Sequence, residues 1–98
     1  MKNKEYAEVK ALEALSWLSK NPDRFADFLH LNGASISDIF ERSKDPEFLV
    51  FIIEYCLSSD EIAIECSYAL SIKPEELMEI LSLLPGGDSY NWTYPQAL

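Results

Sequence analysis

Apolar residues recur at three- and four-residue intervals along nearly the whole of residues 1–84, and stretches that alternate apolar with polar positions are almost absent. The pattern predicts an all-α fold: a compact bundle of five or six short helices over residues 1–84, followed by a non-helical aromatic C-terminal tail over residues 85–98. The first helix should run from about Lys4 to Lys20, with Ala7, Ala11, Leu15 and Leu18 on one stripe and Val9, Leu12 and Trp17 widening the apolar side. Asn21-Pro22-Asp23 then stops it and starts a second helix, with Asn21 as cap, Pro22 in the first position and Asp23 against the positive end of the dipole. Phe25, Phe28 and Leu29 should face inward, and Asn32-Gly33 ends the element as a left-handed turn would.

Ser35-Ile36-Ser37-Asp38 has the spacing of a capping box, with aspartate in place of Glu or Gln, and should open a short third helix through Ile39 and Phe40. Asp45-Pro46-Glu47 starts a fourth, Ser59-Asp60-Glu61 a fifth reaching about Leu70, and Lys73-Pro74-Glu75-Glu76 a sixth ending near Leu84. Within the fourth, Phe48-Leu49-Val50-Phe51-Ile52-Ile53 has the β-propensity of a buried strand. The proline at a helix-starting position and the lack of a partner strand favour a helix, apolar almost all round and therefore central.

The six segments also read as two degenerate three-helix units. A shift of 37 residues places Leu12 on Leu49, Leu15 on Ile52, Asp23 on Asp60 and Phe25 on Ile62. A shift of 38 places Asp38 on Glu76, Ile39 on Leu77 and Phe40 on Met78.

With 98 residues, of which 48% are hydrophobic, the chain suffices for one domain with a real core and a radius of gyration of roughly 13 Å. The longest apolar run, Phe48 to Ile53, falls far short of the roughly 20 residues of a membrane span. Met1 to Tyr6 lead directly into the amphipathic pattern without the apolar core of a signal peptide, so a cytoplasmic location is expected. Cys56 and Cys66 each sit in an apolar helical pattern with no second cysteine or histidine at ligand spacing, and are read as core thiols. No cofactor or metal is expected.

The helix-start series Asn21-Pro22-Asp23-Arg24-Phe25, Asp45-Pro46-Glu47-Phe48-Leu49 and Lys73-Pro74-Glu75-Glu76-Leu77, followed by Leu83-Leu84-Pro85-Gly86-Gly87-Asp88 and Trp92, resembles a family of roughly 100-residue alphaproteobacterial proteins catalogued as a domain of unknown function. The resemblance spans nearly the whole chain, and the Leu-Pro-Gly-Gly-Asp element with its following tryptophan is its most specific part. Lys73 stands where the family pattern has aspartate before the proline, which should weaken that cap. The resemblance implies a stand-alone helical protein and brings no catalytic residues.

Charge is what separates the two halves. Residues 1–44 carry seven acids and seven bases; residues 45–98 carry ten acids and one base, Lys73, which accounts for the net charge of −9. Six of those ten acids lie at helix starts, where they suit the dipole. The i,i+4 pairs Glu61/Glu65 and Glu75/Glu79 are like-charged, each unfavourable by roughly 0.2–0.5 kcal/mol, whereas Lys4/Glu8 and Asp38/Arg42 are compensated.

This points to a non-enzymatic protein-interaction module whose partner is a protein with a basic surface, and away from nucleic acid and membranes. Homo-oligomerisation stays open. The candidate surface comprises Glu61, Glu65, Glu75 and Glu79 together with Asp88, Tyr90, Trp92 and Tyr94. The alternating tail aromatics are expected to fold back over the bundle, since Pro85-Gly86-Gly87 reverses the chain, with service to a partner as the alternative. Two rivals remain: a small enzyme subunit, which needs a cavity lined by His30, Glu and Cys together, and an acidic decoy for a nucleic-acid-binding protein, which needs exposed rows of carboxylates.

Overall fold

Residues 48–53 are helical. They lie inside the helix Pro46–Cys56, whose first turn is held by the Asp45 side chain accepting from the Glu47 amide at 3.0 Å. A computed structural model describes residues 2–85, which form α1 (Lys4–Ser19), α2 (Pro22–Asn32), a 3₁₀ turn (Ile36–Asp38) running into α3 (Ile39–Arg42), α4 (Pro46–Cys56), α5 (Asp60–Ala69) and α6 (Glu76–Leu83). There are no strands among the described residues. The radius of gyration is 12.6 Å. Asp88, Tyr90, Trp92 and Tyr94 lie outside the described residues, as do all other positions from 86 onward.

α4 is the hub. Phe48, Leu49, Val50, Ile52, Ile53, Tyr55 and Cys56 are all buried, and the helix packs against α1, α2, α5 and α6. Its most extensive neighbour is α1, which offers Ala7, Ala11 and Ala14 with Leu15 and Leu18. Small side chains at successive turns let the two backbones approach closely, and the leucines close the lower part of the core. Val9 and Leu12 do not join that face: both are exposed. Val9 is two positions from Ala7 and from Ala11, so at 100° per residue it points roughly 160–200° away from the buried stripe.

Local side chains choose differently from expectation at two helix starts, and at a third the cap is as weak as Lys73 implies. Asn21 does not cap α2. Its side-chain Nδ2 donates backwards to the Trp17 carbonyl at 2.7 Å, closing the end of α1 instead. An asparagine two residues beyond one helix and at the start of the next is within reach of free carbonyls as well as free amides. Ser35 makes no capping box, because its hydroxyl donates to the Asp38 carboxylate at 2.9 Å. Lys73-Pro74 forms a turn ahead of α6, which begins at Glu76 without a side-chain cap; a lysine has no acceptor to offer there. The caps that form as the residue types predict are Asn3, Asp45 and Ser59, the last accepting from the Ile62 amide at 3.1 Å.

α2 and α5 end in the same way. The Ala34 amide donates to the Leu29 carbonyl across Gly33, and the Ile72 amide donates to the Ser67 carbonyl across Ser71. Gly33 has φ 61° and Ser71 has φ 59°. Under the shift of 38 residues the two positions coincide. A left-handed residue suits glycine and costs an L-residue roughly 1 kcal/mol. Ser71→Gly is therefore expected to raise the unfolding free energy by about 0.5–1 kcal/mol. Gly33→Ala should lower it by a similar amount, although a Cβ there meets nothing within 4 Å. Urea unfolding of the two variants beside the parent protein measures both signs.

Candidate functional site

α2 and α5 bring charged side chains of their first two turns together. The Arg24 guanidinium on α2 donates from Nε to Glu65 Oε1 at 2.8 Å and from Nη2 to Glu61 Oε2 at 3.3 Å. The pair Glu61/Glu65, uncompensated along its own helix, is thus bridged by a cation from the other half of the chain. Arg24 thus offsets the repulsion expected of that like-charged pair. Beneath it, the Tyr55 hydroxyl donates to Asp27 Oδ2 at 3.0 Å. Burial raises the Tyr55 phenol above its ordinary range and the bond to Asp27 adds to this, so Tyr55 stays a neutral donor. The Arg24 guanidinium is raised chiefly by its hydrogen bond to Glu65 and is permanently charged.

These groups line a cleft of about 500 Å³ whose walls include Asp23, Arg24, Asp27 and Glu65, with the buried Tyr55 as floor. Asp23 and Asp27 are one turn apart on the same side of α2. Three carboxylates, Asp23, Asp27 and Glu65, line the cleft with the cation Arg24, which also reaches Glu61 beside it. The excess favours an incoming ammonium or guanidinium group.

Glu75 and Glu79 are elsewhere. They line a smaller cleft of about 180 Å³ with Lys2, Lys73 and Glu76. Lys2 Nζ lies 3.5 Å from Glu76 Oε2 and 3.3 Å from Glu79 Oε1, and the Tyr6 hydroxyl donates to Glu76 Oε2. This cleft is close to neutral and reads as a clasp between the start of α1 and the start of α6.

That clasp has a defined pH window. Donating to Glu76 pushes the Tyr6 phenol from 10.0 up to about 12, and the Tyr6 hydroxyl holds the Glu76 carboxyl below its ordinary 4.5. The Tyr6 contribution is complete below pH 10.0 and is lost as pH rises through about 12; the Glu76 contribution is complete above pH 4.5 and is lost as pH falls through the lowered value. Tyr6→Phe should therefore destabilise the protein at neutral pH and flatten the alkaline limb of its stability profile. Chemical unfolding of both forms at neutral pH and near pH 11 measures the difference, and parallel profiles would refute the clasp.

Sequence reasoning missed Asp23, Asp27, Arg24 and Tyr55 as a group. The i,i+4 spacing of Asp23 and Asp27 was a visible signal, but Asp23 was absorbed by its role at a helix start. Other candidate chemistry is dispersed. His30 is exposed in the last turn of α2, and Cys56 and Cys66 are buried free thiols; none of the three lines either cleft. Among the described residues no three His, Cys, Asp or Glu side chains gather as a metal site, and no helix is long and apolar enough to cross a membrane.

A family model described as "Protein of unknown function (DUF3572)" matches residues 4–87, and the chain belongs to that family. No curated protein and no solved structure matches it.

Proposed function

We propose that this DUF3572 member is a non-enzymatic protein-interaction module that takes a basic surface of a partner protein into the cleft between α2 and α5. The observation that carries this reading is the local charge imbalance: three carboxylates, Asp23, Asp27 and Glu65, line the cleft beside one guanidinium that also pairs with Glu61, over a floor fixed by Tyr55 and Asp27. Asp27, held by the Tyr55 hydroxyl, and Glu65, held by Arg24, need little reorganisation to receive a cation, so complementarity acts on both encounter and register. The overall net charge of −9 adds a long-range attraction for the same class of partner and a repulsion for phosphate backbones.

A labelled lysine-rich peptide is the probe, followed by fluorescence anisotropy at low and at high salt. Binding should weaken steeply as salt rises. Asp23→Asn together with Asp27→Asn should weaken it by about ten-fold at low salt, two close charges being worth together about 1–2 kcal/mol. Asparagine keeps an oxygen for the Tyr55 hydroxyl, so the floor is preserved. No binding at low salt, or binding indifferent to both changes, would overturn the proposal. Duplex DNA should not bind under the same conditions.

A further inference from the structure

Beside the cleft, α5 presents a stripe that the charge argument leaves unused. Glu61, Ile64, Glu65 and Tyr68 follow the i, i+3, i+4, i+7 spacing of a single helix face. Ile64 is 59% exposed and Tyr68 is 86% exposed, while the buried side of the same helix is formed by Ile62, Cys66 and Ser67. The two apolar side chains thus stand in water next to the glutamates that Arg24 holds in place. The acids flanking them specify the partner's chemistry: whatever covers Ile64 and Tyr68 must bring apolar groups bordered by cations. A stripe of that spacing is about 10 Å long, two turns of a helix.

We infer that the α5 stripe and the adjoining cleft together receive a basic amphipathic helix of a partner protein, with its apolar residues on Ile64 and Tyr68 and its Lys or Arg side chains directed to Asp23, Asp27, Glu61 and Glu65. This rests on the proposed function and deepens it by naming the partner segment. The arrangement is the helix-on-groove mode of recognition, in which apolar anchors at i, i+3, i+4 and i+7 set the register and charges set the orientation.

Two labelled peptides of about 14 residues and identical leucine and lysine composition test it. In one the leucines share a helical face; in the other their order is shuffled so that they do not. The wild-type protein should bind the amphipathic peptide about ten-fold more tightly than the shuffled one. Ile64→Ala with Tyr68→Ala should abolish that preference while leaving the circular dichroism spectrum and the affinity for the shuffled peptide unchanged.

Equal binding of the two peptides by the wild-type protein would overturn the inference and leave the charge-based reading standing. A preference that survives the double substitution would also overturn it, and failure of both peptides to bind would remove both readings. A loss of thermal stability or a change of oligomeric state in the double variant would show that the face is covered by this chain or by a second copy, again overturning the inference.

Discussion

Replacing Phe28 with alanine is expected to lower the unfolding free energy by about 3–5 kcal/mol, a large part of the total stability of a domain of this size. Phe28 is the single fully buried side chain of α2. Its ring meets Phe48 and Tyr55 edge-on, with centroids 5.6 Å away in each case. Truncation removes two aromatic contacts and leaves a cavity against α4 that two rigid neighbours cannot collapse into. α2 also carries Asp23, Arg24 and Asp27, and Tyr55 is the floor of the cleft, so the same change should loosen the binding wall. Urea unfolding measures the first effect, and peptide anisotropy under native conditions measures the second. A loss under 1 kcal/mol would mean that α2 is held mainly by its charged contacts.

Arg24→Met is expected to act in opposite directions on folding and on binding. Methionine keeps much of the side-chain volume but removes both donors to Glu61 and Glu65. Stability should fall by about 1–2 kcal/mol, from two lost charge-assisted bonds and the unrelieved repulsion of an i,i+4 glutamate pair. The deficit should shrink in high salt, where the repulsion is screened. A lysine-rich peptide, by contrast, should bind about five- to ten-fold more tightly at low salt, because two carboxylates previously occupied by Arg24 become available. Weaker binding by the variant would show that Arg24 itself contacts the partner.

Arg24 also shows where a linear reading of charge goes astray. The acids of residues 45–98 outnumber their bases ten to one, and this is plain along the chain. Their compensation is not, because it comes from the other half. Arg24 reaches Glu61 and Glu65, Lys2 reaches Glu76 and Glu79, and Lys10 Nζ donates to the Leu70 carbonyl at 3.0 Å, supplying the cation that the end of α5 lacks in its own sequence. Contacts between residues 37 to 77 positions apart leave no trace in i,i+4 bookkeeping. Along the chain the candidate acids form one group, whereas in space they separate: Glu65 lines the cleft with Asp23 and Asp27, Glu61 sits beside it on Arg24, and Glu75 and Glu79 join Lys2 and Lys73.

Helical periodicity, proline at first helical positions and short polar caps act over one or two turns, so the all-α class, the central place of α4 and the caps at Asp45 and Ser59 are already present in the order of the residues. Cys56 and Cys66 fall in the core for the same reason, each lying on the apolar side of its helix. Packing settled the rest. Val9 and Leu12 stay in water because α4 and α6 cover only the alanine side of α1, and Asn21 and Ser35 turned to competing acceptors that an equally short reach made available. The cleft exists only because α4 holds α2 and α5 side by side; electrostatic partners of opposite halves meet across a distance in sequence that local chemistry cannot span, and the buried Phe28 and Tyr55 rings fix that distance in space.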